Sequence, residues 1–102
     1  MSFVGLGGII DNVGKLNTPE SLGISGTSAI SLTIPSTGKG LVFQNVGDNI
    51  VWWGGDDVDA VSKRGNKMTP FASYQFRGAT VAFEVYFICE TGEATTIGYN
   101  TW

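Results

Sequence analysis

The sequence contains no histidine and only one cysteine, Cys89. Without histidine, the usual general base, the usual metal ligand and the triads built on them are absent. A zinc site needs several Cys or His ligands and is excluded by counting. A single cysteine forms no internal disulfide. It sits in the apolar run "VAFEVYFIC", where it reads as a small buried residue. Charge is sparse: six basic and nine acidic residues give a net charge of −3. The basic residues Lys15, Lys39, Lys63, Arg64, Lys67 and Arg77 are scattered and form no stripe. Nucleic-acid binding draws its affinity from neutralised phosphates, so it is not expected here. No long hydrophobic run exists either. The longest, around residues 81–89, is broken by Glu84 and is far too short for a spanning helix, so no membrane association is expected. The opening "MSFVGLGGII" lacks the basic start of a secretory signal and runs straight into Asp11. It reads as part of the mature protein.

What is present points to β-structure. The 102 residues fit one domain and include 15 glycines, with 42% hydrophobic and 12% aromatic residues. Glycine-rich, charge-poor composition with many Thr, Ser, Val and Ile suits an all-β chain with many turns. We read residues 28–102 as a small antiparallel β-sandwich or flattened barrel and residues 1–27 as an N-terminal arm. In "SAISLTIP", Ile30, Leu32 and Ile34 alternate with Ser31 and Thr33, which is a half-buried strand ended by Pro35. "PSTGKG" is a turn. "GLVFQNV" and "NIVWWGG" are strands that "VGDN" would join as a hairpin. "DDVDAVSKRGNKMTP" reads as a long polar loop with a short paired piece. "FASYQFRG" places Tyr74 and Phe76 on one face. In "TVAFEVYFICE", Phe83, Val85, Phe87 and Cys89 share a face, and the strand is apolar enough on both sides to be central. "TGE" turns the chain into a last strand, "ATTIGYNTW". The arm shows no sustained period, although a short helix around 19–23 fits Thr18 as a cap and Pro19 in the first turn.

The candidate sites are few. "GLGG" is no dinucleotide fingerprint, because position 10 is Ile and no βαβ unit surrounds it. Asp56, Asp57 and Asp59 lie close together, but the pattern of a calcium loop is missing, and the group reads as a solvated acidic turn. Glu84 is the one carboxylate on an apolar strand. It is expected to pair with a base such as Arg77 or to lie on the outer face. No nucleophile–base constellation exists, so no catalytic residue, cofactor or metal is assigned and the chain is not read as an enzyme. The adjacent Trp52 and Trp53 must point to opposite faces of a strand. One ring enters the core, and the other needs a cover: the arm, Trp102, another subunit or a ligand. Phe3, Leu6, Ile9, Ile10, Trp53 and Trp102 are therefore the expected interface residues. A carbohydrate-binding module using exposed tryptophans is the alternative.

The stretch "KGLVFQNVGDNIVWWGGDD…RGNKMTPFASYQFRGATVAFEVYFICETGEATTIGY" resembles small β-sandwich virion proteins of tailed bacteriophages. The shared layout is a strand ending in "QNVGDN", a strand ending in an aromatic and "GG", then "GNKMTP" and three further strands. It covers about residues 39–100 and leaves the arm outside. The resemblance implies a structural role in the particle. The best-fitting subclass is the capsid decoration (cement) protein, a trimer on the outer head surface whose partner is the major capsid protein or another virion protein. A neck or tail component is the near alternative. The family offers no catalytic residues to carry over.

Overall fold

The structure, a computed structural model, describes residues 20–34, 40–77 and 81–101. Among these residues eight strands follow one another: β1 (Glu20–Ser25), β2 (Ile30–Ile34), β3 (Leu41–Asn45), β4 (Val51–Gly54), β5 (Asn66–Met68), β6 (Ser73–Phe76), β7 (Phe83–Cys89) and β8 (Ala94–Thr101). They form two four-stranded antiparallel sheets, ordered β1-β8-β3-β6 and β2-β7-β4-β5. The pairing is nested. The first strand pairs with the last, the second with the seventh, the third with the sixth and the fourth with the fifth. The chain is thus one long hairpin rolled over itself, with alternate pairs falling into opposite sheets. This is the winding of an eight-stranded jelly roll.

The expected β-sandwich is therefore present, with two corrections. The sandwich starts before residue 28: Glu20–Ser25 is an edge strand on β8, not part of an arm and not a helix. Its alternation is short because only Leu22 and Ile24 are apolar inward positions. Nor do "GLVFQNV" and "NIVWWGG" form a hairpin. β3 and β4 lie in different sheets, and residues 46–50 are a corner between them. Gly47 is required there by space rather than by a positive φ. A Cβ on it would overlap Thr95 Oγ1 and lie 2.9 Å from the Thr96 nitrogen.

The core follows from the alternation. Leu32, Val51, Met68, Val85, Phe87 and Cys89 point inward from one sheet, and Ile24, Leu41, Phe43 and Ile97 from the other. Strand β7 is interior, between β2 and β4, and its Phe83–Val85–Phe87–Cys89 face turns to the core as expected. Phe43 stands at the centre. Its ring meets Phe87 edge-on at 5.1 Å and Trp53 edge-on at 5.3 Å.

One polar side chain is fully buried among these residues. Asn45 ends β3 with 0% exposure. Its Nδ2 donates to the carbonyls of Asn49 (2.7 Å) and Met68 (3.2 Å), and its Oδ1 accepts from Gly47 N–H (3.2 Å) and Thr95 Oγ1 (2.7 Å). An amide has two donor hydrogens and two acceptor lone pairs, and all four are engaged. Its backbone is engaged as well: Asn45 N–H donates to Ala72 O, and Asn45 O accepts from Phe71 N–H. Asn45→Ala would strand several buried partners at about 1–3 kcal/mol each. We expect a loss of roughly 3 kcal/mol or more in urea unfolding. Asn45→Asp should be worse at neutral pH, because a carboxylate cannot donate to the two carbonyls. Its folded pKa would be raised, so its deficit relative to wild type should shrink below the unfolded pKa, about 4, and grow as pH rises above it.

Candidate contact surface

The tryptophan pair divides as strand geometry requires. Trp53 lies opposite Phe87 and points between the sheets, where it is half-buried. It touches Phe43, Tyr74 (5.0 Å between ring centroids) and Phe76. Trp52 lies opposite Ile88 and faces outward. The expected cover for the outward ring was an arm, Trp102, a neighbour or a ligand. The cover found is the chain's own residues 55–65. They leave β4 and fold back over the outer face of the sheet. Val58 and Ala60 bury Trp52 there, with Ala29, Ile50, Tyr86 and Ile88 around them, in a second small core. Lys63 completes it. Its Nζ sits 5.5 Å from the centre of the Trp52 ring and donates to Glu90 at 3.0 Å. That contact holds the Glu90 carboxyl below its ordinary value. Gly65 closes the excursion at φ +127, and a Cβ there would crowd Val58 and the Trp53 carbonyl. Among the described residues neither indole N–H, both buried, meets hydrogen-bond geometry, although Trp52 lies close enough to Glu90 to help lower its carboxyl. The two rings thus contribute apolar area and aromatic contact, not a polar handle.

The acidic turn does not converge. Asp57 pairs with Arg64 at 3.6 Å, while Asp59 Oδ1 accepts from Val61 N–H. Among the described residues no three acidic or Cys side chains group as metal ligands. Glu84 lies exposed on the outer face. It accepts from Tyr86 OH (2.8 Å) and Ser31 Oγ (3.3 Å), and the first of these contacts raises the Tyr86 pKa. Cys89 is buried, with its thiol directed at Ile24 O (3.7 Å). Desolvation, with Glu93 adding to it, pushes that thiol from 9.0 to about 11.

The most unusual local geometry is at one end of the sandwich. There the corners 26–29, 46–50 and 69–72 and the turn 90–93 come together. Asn45 binds the second and third, and Asn49 Nδ2 binds Ala94 O at 2.8 Å. Thr69–Ala72 has the form of a type II turn: Ala72 N–H donates to Thr69 O, Pro70 is second, and the third residue has positive φ. That third position favours glycine. Here it is Phe71, at φ 69. Its N–H donates to Asn45 O at 2.7 Å and its carbonyl accepts from Gln44 Nε2 at 3.1 Å. Its ring is 67% exposed, and the adjoining Val46 is 43% exposed. Sequence reading missed this residue. The one signal was "TPFA", in which a phenylalanine follows the proline where a glycine belongs. Of the expected interface residues, Trp53 proves to be the inward ring, packed on Phe43, and Trp52 the outward one, while Phe3, Leu6, Ile9, Ile10 and Trp102 lie outside the described residues.

Three variants test these contacts. Trp52→Ala should leave the sandwich folded but loosen residues 55–65, so that trypsin cuts after Lys63 and Arg64 far faster than in wild type. Lys63→Ala, which removes only exposed contacts, should change stability by less than about 1 kcal/mol. The Cys89 thiol is held neutral by the fold. Its contribution is intact below its ordinary value and is lost as pH rises from there to about 11. Chemical unfolding of wild type against Cys89→Ala should therefore converge over that interval, and thiol reagents should label Cys89 only on unfolding.

No protein-family model, no characterised protein and no solved structure matches this chain.

Proposed function

We propose that this protein is a structural component of a bacteriophage particle, a head decoration (cement) protein that binds the outer capsid surface and stabilises the shell. The observation that carries this reading is the nested eight-stranded winding, an architecture that recurs in viral capsid domains. The turn-and-strand layout shared with small virion proteins supports it from the sequence side. So does the use of side chains: Phe43, Trp53, Phe76 and Phe87 pack together between the two sheets, and the acidic groups of the 56–59 turn point apart. Such a chain acts by contact. Each copy lowers the free energy of the assembled shell by bridging capsid subunits, and weak contacts repeated across a lattice add as avidity. A closed trimer multiplies them further. The apolar arm residues Phe3, Leu6, Ile9 and Ile10 bind between molecules in this reading, with burial of each large side chain contributing about 1.5–3 kcal/mol.

The test is reconstitution. Shells assembled without this chain should lose heat resistance and regain it when the purified protein is added, and a reconstruction should place the added density on the outer head surface. Density at the neck or tail would assign the protein there instead. No binding to any part of the particle would defeat the proposal. Deletion of residues 1–16 should abolish trimer mass or shell binding while the domain still melts cooperatively.

A further inference from the structure

We propose that residues 55–65 form a flap that opens off the outer face of the β2-β7-β4-β5 sheet and uncovers Trp52 while the sandwich stays folded. The segment's backbone hydrogen bonds are its own. Val58 N–H donates to Gly55 O, Asp59 and Arg64 exchange N–H···O bonds at 2.9 and 2.8 Å, and Val61 N–H donates to Asp59 Oδ1. Among the described residues, no backbone hydrogen bond joins 56–64 to the sandwich, so none has to break for the segment to leave. Its hold on the sheet is small as well. Only Val58 and Ala60 are buried within it. Among the described residues, its one hydrogen-bonded link to the sandwich is Lys63 Nζ to Glu90, a pair of partly exposed groups. Such a pair contributes little and yields to salt.

The two ends of the segment suit hinges. Gly54 and Gly55 lead into it, and Gly65, at φ +127, leads out. Backbone torsions at these positions change without a Cβ to obstruct them. Two further features lower the cost of opening. Closed, the Trp52 N–H is buried without hydrogen-bond geometry; opening hands it to water. Lys63 and, more weakly, Lys67 hold the Glu90 carboxyl below its ordinary value. Lys67 lies opposite Trp52 on β5 and stays when Lys63 departs, so Glu90 keeps a neighbouring cation. Trp53 differs: Phe43, Tyr74 and Phe76 enclose it between the sheets, and only the parting of strands would free it. The closed flap withholds an apolar face from other molecules, the Trp52 ring with Ile50, Tyr86 and Ile88 around it. This device is independent of the proposed function.

The test is hydrogen exchange in the intact, isotope-labelled chain, read by NMR at the Trp52 indole N–H and at the backbone amides of interior strand β7. Protection at Trp52 should be on the order of a hundredfold or more weaker than at β7, and low urea should hardly change it, because the opening exposes little surface. Exchange at β7 should rise steeply with urea. Val58→Ala, which trims the cover, should speed Trp52 exchange about tenfold. Glu90→Gln should speed it about two- to fivefold, and added salt should act on wild type far more than on that variant. Both variants should still melt cooperatively. Equal protection and equal urea dependence at Trp52 and β7 would show that the cover leaves only when the whole domain unfolds. A Trp52 indole exchanging at its free rate would show that no closed state exists. Fast Trp52 exchange that neither Val58→Ala nor Glu90→Gln alters would belong to another motion. Each of these three results overturns the inference, and the first two are decided on wild type alone.

Discussion

The side-chain amide of Asn45 is the interaction on which the architecture turns. A rolled hairpin must cross between its sheets at every corner, and each crossing leaves backbone groups without strand partners. Buried groups of that kind are costly unless satisfied. One asparagine satisfies several of them: it binds the corner after its own strand, the end of β5 and the side chain of Thr95 on β8. An apolar residue of similar size would pack but would leave those partners open. The same residue, through its carbonyl, holds the strained backbone of Phe71. Core integrity and the form of the exposed end therefore share one residue.

The two outer faces differ in how they are finished. On the β2-β7-β4-β5 sheet, the excursion 55–65 forms a second apolar layer over Trp52, and Lys63 clamps it to Glu90. Five charged residues, Asp56, Asp57, Asp59, Lys63 and Arg64, lie in this cover. The cover also protects the Trp52 ring, so the outward indole of the pair is committed to intramolecular packing. Side chains not committed to the sheets are left at the corners, the places from which a fold of this kind can present a recognition surface. Loops carried on a rigid scaffold commonly take that part.

Much of the strand content was legible. Period-two alternation at Ile30–Ile34 and Phe83–Cys89 identified β2 and β7, and the opposition of Trp52 and Trp53 followed from strand geometry alone. Pairing was not legible. "VGDN" has the composition of a hairpin turn, and local chemistry does not tell a hairpin from an inter-sheet corner. The decision is made by Asn45 and Gly47 meeting Thr95, about fifty residues further on. β1 was missed because an edge strand with Ser and Gly on its open face carries little hydrophobic signal. The cover over Trp52 was missed because only Val58 and Ala60 of a polar stretch are buried there. Phe71 was missed because composition marks the turn without revealing which residue takes the positive φ.

The nested pairing also sets an order of events during synthesis. β8 is the last strand of the sandwich to leave the ribosome, yet it occupies an interior place between β1 and β3. Until it emerges, β3 lacks a partner on one side and β1 lacks its only strand partner among the described residues. The inner pair, β4 with β5, can form early because its partners are close in sequence, whereas β1 with β8 must close a loop of nearly the whole domain. Assembly thus runs from the centre of the hairpin outward, and the sheet that carries Phe43 is sealed only at the end. A nascent chain in that state offers open strand edges to other chains. The sooner β8 inserts, the shorter the time those edges stay open, and the larger the share of chains that fold rather than associate when many copies are made at once.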